Sequence, residues 1–389
     1  MRRKVLLVPA MNGIGMHSAR AQRAVALAPP HRLRIAQVAP LAESVPPRQY
    51  GGTERVVAYL SEALVAAGHE VTLFASGDSS ARVNLHACCP RALRGQHGVC
   101  DPNLWSALEI QAVLDHADAF DIVHFHTGYL HFAMRECLPP HLTTLHGRLD
   151  FDPPQFYARY PRAPLVSISE AQRQPWPHAA WLRTIHHGLP RDLLHAGPGD
   201  GGYLVFIGRI SPEKRVDRAV EIARRVGMPL KIAAKIDDAD AAYMAQSIRP
   251  LLDAPGVEFL GEADEAQKQE LLAHAAALLF PIDWPEPFGL VMIESLACGT
   301  PVIAYAQGSV PEIVEHGRSG FLVDSIDSAV RAVRRLRELD RTECRRAFEQ
   351  RFTAERMAAD YVEAYRAVLH EHVPANLPRT PDALQANAS

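Results

Sequence analysis

Cysteine is scarce: six in 389 residues, none in a Cys-x-x-Cys spacing. Neither a zinc knuckle nor a disulfide framework is suggested, and free thiols suit a reducing, cytoplasmic setting. The vicinal Cys88 and Cys89 read as small buried hydrophobes. Long apolar runs are missing too, since none approaches the roughly 20 residues of a membrane helix. The basic opening MRRKVLLVP meets polar residues almost at once, so it is not read as an export signal. An excess of positive charge is also lacking. The 41 Lys and Arg face 44 Asp and Glu for a net charge of −3, without the basic field of a nucleic-acid binder.

A complete dinucleotide fingerprint is absent as well. NGIG near the start follows a strand-like run, but Ser18 stands where a third Gly or Ala belongs and no acid follows at the expected distance. A dehydrogenase reading would rest on NGIG alone. Residues 1–30, closed by Pro29-Pro30, read as an N-terminal extension.

What is present is length and alternation. At 389 residues the chain exceeds one ordinary core, which points to two domains. LRIAQVAP, VTLFASG, FDIVHFHTG, LTTLHG, PLVSISEAQR and LRTIHHG read as short buried strands ending in small or polar residues. After the first of them, GGTERVVAYLSEALVAAGHEV repeats apolar residues at helical spacing up to Gly68. RDLLHAGPGDGG, 191–202, has no period and suits a linker. Beyond it the pattern restarts with YLVFIGRIS, a helix closed by Gly227, PLKIAAK, VEFLG, a helix over 264–275, AALLFPI, TPVIAYA and GFLVD. Strands alternating with helices predict parallel sheets wrapped by helices, here two Rossmann-like α/β domains at 31–195 and 200–352 with a cleft between them. Helices are expected over 327–338 and 353–371, and the Pro-rich 372–389 reads as a disordered tail.

Ligands of such sheets bind beyond the carboxyl ends of the strands, so those loops hold the candidates. Gly51-Gly52 lets an anion approach amides at a helix start, although a plain turn explains it equally well. Arg209 and Lys214 in GRISPEKRV put two cations on one rim, suited to phosphate unless they are merely solvated charges. His146 ends LTTLHG and is placed to hydrogen-bond a bound hydroxyl. His124 and His126 flank the end of another strand, with His124 expected to point away from His126 and to be structural. No carboxylate partner stands nearby, so a metal site is not read. In WPEPFGLVMIE, prolines stiffen the approach, Phe288, Gly289 and Leu290 offer amides, and Glu286 and Glu294 bracket a helix start. Two carboxylates for hydroxyls, beside amides for an anion, suit a sugar joined to a nucleoside diphosphate.

EPFGLVMIESLACGTPVIAYAQGSVPEIVEHGRSGFLV, with seven residues between its two glutamates, resembles the signature of the retaining glycosyltransferase family 4. FIGRISPEKRVD, GGTERVVAYL, TTLHG, VSISEAQR and IHHG add to the likeness, which runs from about residue 33 to 371. The resemblance implies a GT-B fold, with the acceptor on the first domain, the donor on the second, and a last helix, 353–371, crossing back. It implies a hexosyltransferase using an NDP-sugar (UDP- or GDP-linked), without cofactor or metal, on an acceptor that could be a small metabolite, glycan or lipid. Arg209 and Lys214 would neutralise the diphosphate. Glu294 would hold the ribose, while Glu286, Phe288, Gly289 and Leu290 would hold sugar and phosphates. Gly52 would abut the phosphate and His146 the transferred sugar. His187, where Asn is common, and Arg215, where Gly is common, depart from the pattern. A non-catalytic NDP-sugar-binding protein and an epimerase or phosphorylase of similar architecture are the alternatives.

Overall fold

The computed structural model describes residues 32–48, 51–94 and 101–371. The expected extension 1–30 and tail 372–389 lie outside the described residues. The first sheet comprises β1 Arg34–Val38, β2 Glu70–Ser76, β3 Asn84–Cys89, β4 Ile122–Phe125, β5 His141–Thr144, β6 Leu165–Ser167 and β7 Trp181–Thr184. The second comprises β8 Leu204–Arg209, β9 Leu230–Lys235, β10 Val257–Gly261, β11 Ala277–Phe280, β12 Val302–Tyr305 and β13 Gly320–Val323. Their orders are β3-β2-β1-β4-β5-β6-β7 and β10-β9-β8-β11-β12-β13. Every ladder in both is parallel.

Central strands of such sheets are buried because helices cover both faces. β4, β5, β11 and β12 are buried at every position. In each sheet the strand order reverses beside the first strand, between β1 and β4 and between β8 and β11. At such a switch point the loops leaving the two strands diverge and open a crevice. That places the segments after β8 and β11, which carry Arg209, Lys214 and Glu286, at the mouth of one crevice. Those after β1, β4 and β5, with Gly52, His126 and His146, stand at the mouth of the other.

The chain passes between the two sheets twice, between β7 and β8 and again around Thr353. The passes are stitched together: Leu189 N–H donates to Phe352 O at 2.9 Å and Ala354 N–H to Leu189 O at 2.8 Å. Glu312 adds a second tie by accepting from the backbone N–H of Glu170 and Ala171, both at 2.8 Å, at the start of a short helix of the first domain. The final helix, Ala354–Glu371, then returns to the first domain. Its buried Met357, Ala358, Tyr361, Val362, Ala364, Tyr365 and Val368 form a stripe at helical spacing that packs on the helix Gly52–Ala66.

Among the described residues, several elements were not anticipated. β3 adds an edge to the first sheet, and of its two cysteines only Cys89 is buried, Cys88 being half-buried. The helix Pro102–Asp115 precedes β4. The helix Arg341–Arg351 fills the stretch before the last helix, and its RTECRRAFEQR buries only Cys344, Ala347 and Phe348, too narrow a stripe to stand out.

Gly188 sits where the two passes touch, and a Cβ there would come 2.2 Å from Thr353 O. Gly188→Ala is expected to cost about 1–3 kcal/mol through this overpacking. Urea denaturation checks it, and an unchanged midpoint would contradict the stitched crossing.

Candidate active site

A cleft of about 570 Å³ lies between the two sets of loops and is lined by Gly52, His146, Arg209, Lys214, Glu286, Phe288, Gly289, Leu290 and Glu294. All nine residues singled out in the sequence thus face one space. A Cβ built on Gly52 would meet Leu290 Cδ1 at 3.7 Å, so the two helix starts confront each other across the gap.

The cations are held ready rather than left in solvent. Arg209 Nη2 donates to Glu213 at 2.6 Å, and Nη1 reaches Asp237 at 3.3 Å. Lys214 Nζ donates to Glu286 Oε2, which also accepts from Trp284 Nε1 at 2.9 Å. The same ammonium lies 4.7 Å from the Trp284 ring centroid and 5.4 Å from that of Phe280. With Lys214 15% and Glu286 9% exposed, the pair is largely withdrawn from water, where breaking it without a substitute charge is costly.

Backbone geometry fixes the acid loop. Gly289 caps the helix Leu290–Ala297 at φ 82, and a Cβ there would strike Met292 Cε at 2.8 Å. Met292 N–H donates to Gly289 O at 3.0 Å, while Leu290 and Val291, which open the helix at its positive end, line the cleft. Ser309 N–H donates to Glu286 O and Ser309 Oγ to Phe288 O, each at 2.9 Å. Gly308, at φ 55, packs so tightly that a Cβ would meet the Glu286 backbone at 2.4 Å. Sequence reasoning passed over Gly308 and Ser309 because their role is set by a loop over twenty positions upstream.

Glu294 has a partner that was also missed. Lys268 Nζ donates to Glu294 Oε1 at 2.6 Å and lies 3.2 Å from Glu265, which in turn pairs with Arg55 of the first domain. Lys268 is buried on the helix Glu265–His274, whose Asp264–Gln267 capping box fixes its start. A lone lysine in an ordinary helix carries no sequence signal of this kind.

Arg215, the departure noted beside Lys214, adopts a left-handed φ of 54 at the start of the helix Val216–Val226. That conformation costs a non-glycine residue about 1–2 kcal/mol. Its guanidinium offsets this by bonding Asp217 at 2.9 Å and Asp283 at 2.8 Å.

The histidines converge, and one expectation fails. His124 does not point away from His126: their ring centroids are 3.8 Å apart. Positions two apart on a strand share a face, so both rings lie on the same side. His126 Nδ1 is 2.9 Å from His146 Nε2, His146 stacks on His187 at 5.2 Å, and His187 meets Phe288 edge-on at 4.8 Å. Burial disfavours the charged form of all four: His146 is pushed down to about 3, and His124, His126 and His187 fall well below the usual 6.5. No group of metal-ligating side chains forms among the described residues.

Two family models match in tandem: Glycosyltransferase Family 4 over residues 50–191 and Glycosyl transferases group 1 over residues 195–353. The chain is 36% identical over 226 residues to a D-inositol 3-phosphate glycosyltransferase of Thermobispora bispora, covering 52% of this chain and 50% of that protein. It is 30% identical over 178 residues to N-acetyl-alpha-D-glucosaminyl L-malate synthase of Bacillus anthracis, covering 43% and 46%. The matched stretch spans half or less of these curated relatives. Among solved structures, AviGT4, a glycosyltransferase involved in avilamycin A biosynthesis, matches with a TM-score of 0.66 and 26% identity over 87% of this chain and 98% of that one. Sucrose-phosphate synthase of Thermosynechococcus elongatus shares the fold with a TM-score of 0.71 at 21% identity, over 87% and 100%. With two Rossmann-like parallel sheets, tandem matches to both family models and these structural neighbours, the chain belongs to the GT-B glycosyltransferases of the family 4 type.

Proposed function

We propose that the protein is a retaining hexosyltransferase that moves a sugar from a UDP- or GDP-linked donor to an acceptor hydroxyl presented from the first domain. One observation carries this reading: two cations, two carboxylates and the amides of a helix start line a single cleft between two sheets. Cleaving the anomeric bond builds negative charge on the leaving diphosphate, so Arg209, Lys214 and the amides at Phe288–Leu290 act most strongly in the transition state. These groups take the place a divalent ion would hold. As the diphosphate arrives it substitutes for Glu286 as partner of Lys214, and Glu286 is released to accept from sugar hydroxyls. Glu294, steadied by Lys268, accepts from the ribose. Neutral His146 faces the transferred sugar. The free thiols suit a cytoplasmic location.

Acceptor-dependent release of NDP from a panel of UDP-, GDP- and ADP-sugars tests the activity, with EDTA expected to leave it unchanged. The anomeric configuration of the product, read by proton NMR, should match that of the donor. Donor binding without turnover for every acceptor would favour a sugar-nucleotide-binding protein instead. Lys214→Ala should lower turnover at saturating donor by on the order of 10² to 10³, and a variant turning over like the parent would contradict its role. Glu294→Gln should instead act on binding, raising the donor KM roughly tenfold with little change in kcat.

The buried histidines add a pH dependence. Folded, they stay neutral far below 6.5, whereas the unfolded chain protonates them near 6.5. The unfolded state therefore binds more protons below that value, and stability falls as pH drops from 7 to 5, by up to about 2 kcal/mol for each such histidine. Urea midpoints at the two pH values check this, and equal midpoints would rule it out.

A further inference from the structure

The helix Gly52–Ala66 of the first domain delivers a cation to the second. Arg55, at the end of its first turn, pairs with Glu265 at the start of the helix Glu265–His274. The Glu265 side chain is 38% exposed, yet both of its carboxylate oxygens are closed off from solvent. The exposure therefore belongs to the stem, and the charge is turned inwards. On the other side of that carboxylate stands Lys268, with Nζ 3.2 Å from Glu265 Oε1 and 2.6 Å from Glu294 Oε1. Tyr59, one turn after Arg55, is buried in the same apolar cluster as Ile293 and Leu296 on the helix that bears Glu294. Packing thus sets where the helix lies and leaves Arg55 to act by its charge.

Cation and acid alternate along this line, from Arg55 through Glu265 and Lys268 to Glu294. The order decides how the lysine is shared. Between two carboxylates withdrawn from water, an ammonium is drawn more strongly to the acid that lacks another cation. Arg55 supplies Glu265, and the shorter bond of Lys268 goes to Glu294. Anchoring one oxygen of Glu294 fixes the direction of the other. Without the guanidinium, Glu265 would draw Lys268 towards itself, and Glu294 would lose that anchor.

We propose that Arg55 is a positioning residue that, by neutralising Glu265, commits Lys268 to Glu294 and so sets how well Glu294 accepts from the ribose hydroxyls. The ribose clause rests on the transferase reading above; the sharing of Lys268 does not. A residue of the first domain thereby tunes affinity for a donor held mainly by the second.

Calorimetric titration of the full chain with UDP and GDP, each beside a dideoxy form lacking both ribose hydroxyls, reads this without turnover. Arg55→Met is expected to weaken the better-bound nucleotide roughly tenfold and its dideoxy form less than about twofold, since both keep the same diphosphate. Adding Glu265→Gln removes the rival acid and should restore the ribonucleotide to within about threefold of the parent. Equal losses on the two forms, or a double variant no better than Arg55→Met, would show a structural or long-range charge effect and overturn the proposal. In turnover the loss should fall on the donor KM, and a loss confined to kcat would overturn it too. Should Arg55→Met not fold, Glu265→Gln alone decides. Ribonucleotide affinity kept to within about threefold supports the rivalry for Lys268, and a loss of roughly tenfold overturns it. A parent that binds neither nucleotide sinks the transferase reading and leaves urea midpoints as the test. A midpoint lowered by Arg55→Met and recovered in the double variant then supports the sharing of Lys268, and no recovery overturns it.

Discussion

The pairing of Lys214 with Glu286 in a largely dry cleft is the constraint on which the rest of the structure turns. An ammonium taken out of water needs a compensating charge, and here it finds one on a loop that no nearby sequence supplies. Bringing the two together takes the switch point between β8 and β11, the rigid turn at Gly289 and the close seat of Gly308 under the Glu286 backbone. A diphosphate offers the same compensation with more oxygens, so it can replace the acid without leaving the lysine stranded. The interaction that holds Lys214 and Glu286 together is also the one a donor would exchange.

Both domains contribute to holding this arrangement. The stitched crossing at Leu189 and Thr353, the Glu312 tie and the returning helix fix the first sheet against the second. Arg55 and Glu265 extend the tie towards the Lys268–Glu294 pair. Glu294 is thus connected by ion pairs to the opposite wall. Ring contacts from His146 through His187 to Phe288 add a further link between the two walls.

Much of this was legible because it is local. Strand runs, the glycine-started helix and the segment from Pro285 to Leu290 each carry their meaning within a dozen residues, and parallel topology then brings their ends together. What was not legible depends on distant partners. Lys268 gains its role only when its helix lies against the one bearing Glu294, and Arg55 only when Glu265 meets it from over two hundred residues away. The misjudged direction of His124 has a simpler origin, since residues two apart on a strand share a face whatever the fold.

The central claim is that the two cations and two carboxylates surround one activated sugar. A crystal structure with a bound UDP- or GDP-sugar tests it most directly. The account predicts diphosphate oxygens within hydrogen-bond distance of Arg209 and Lys214, and the ribose hydroxyls on Glu294. A diphosphate bound away from both cations, or a ribose on the far face of the second sheet, would contradict it.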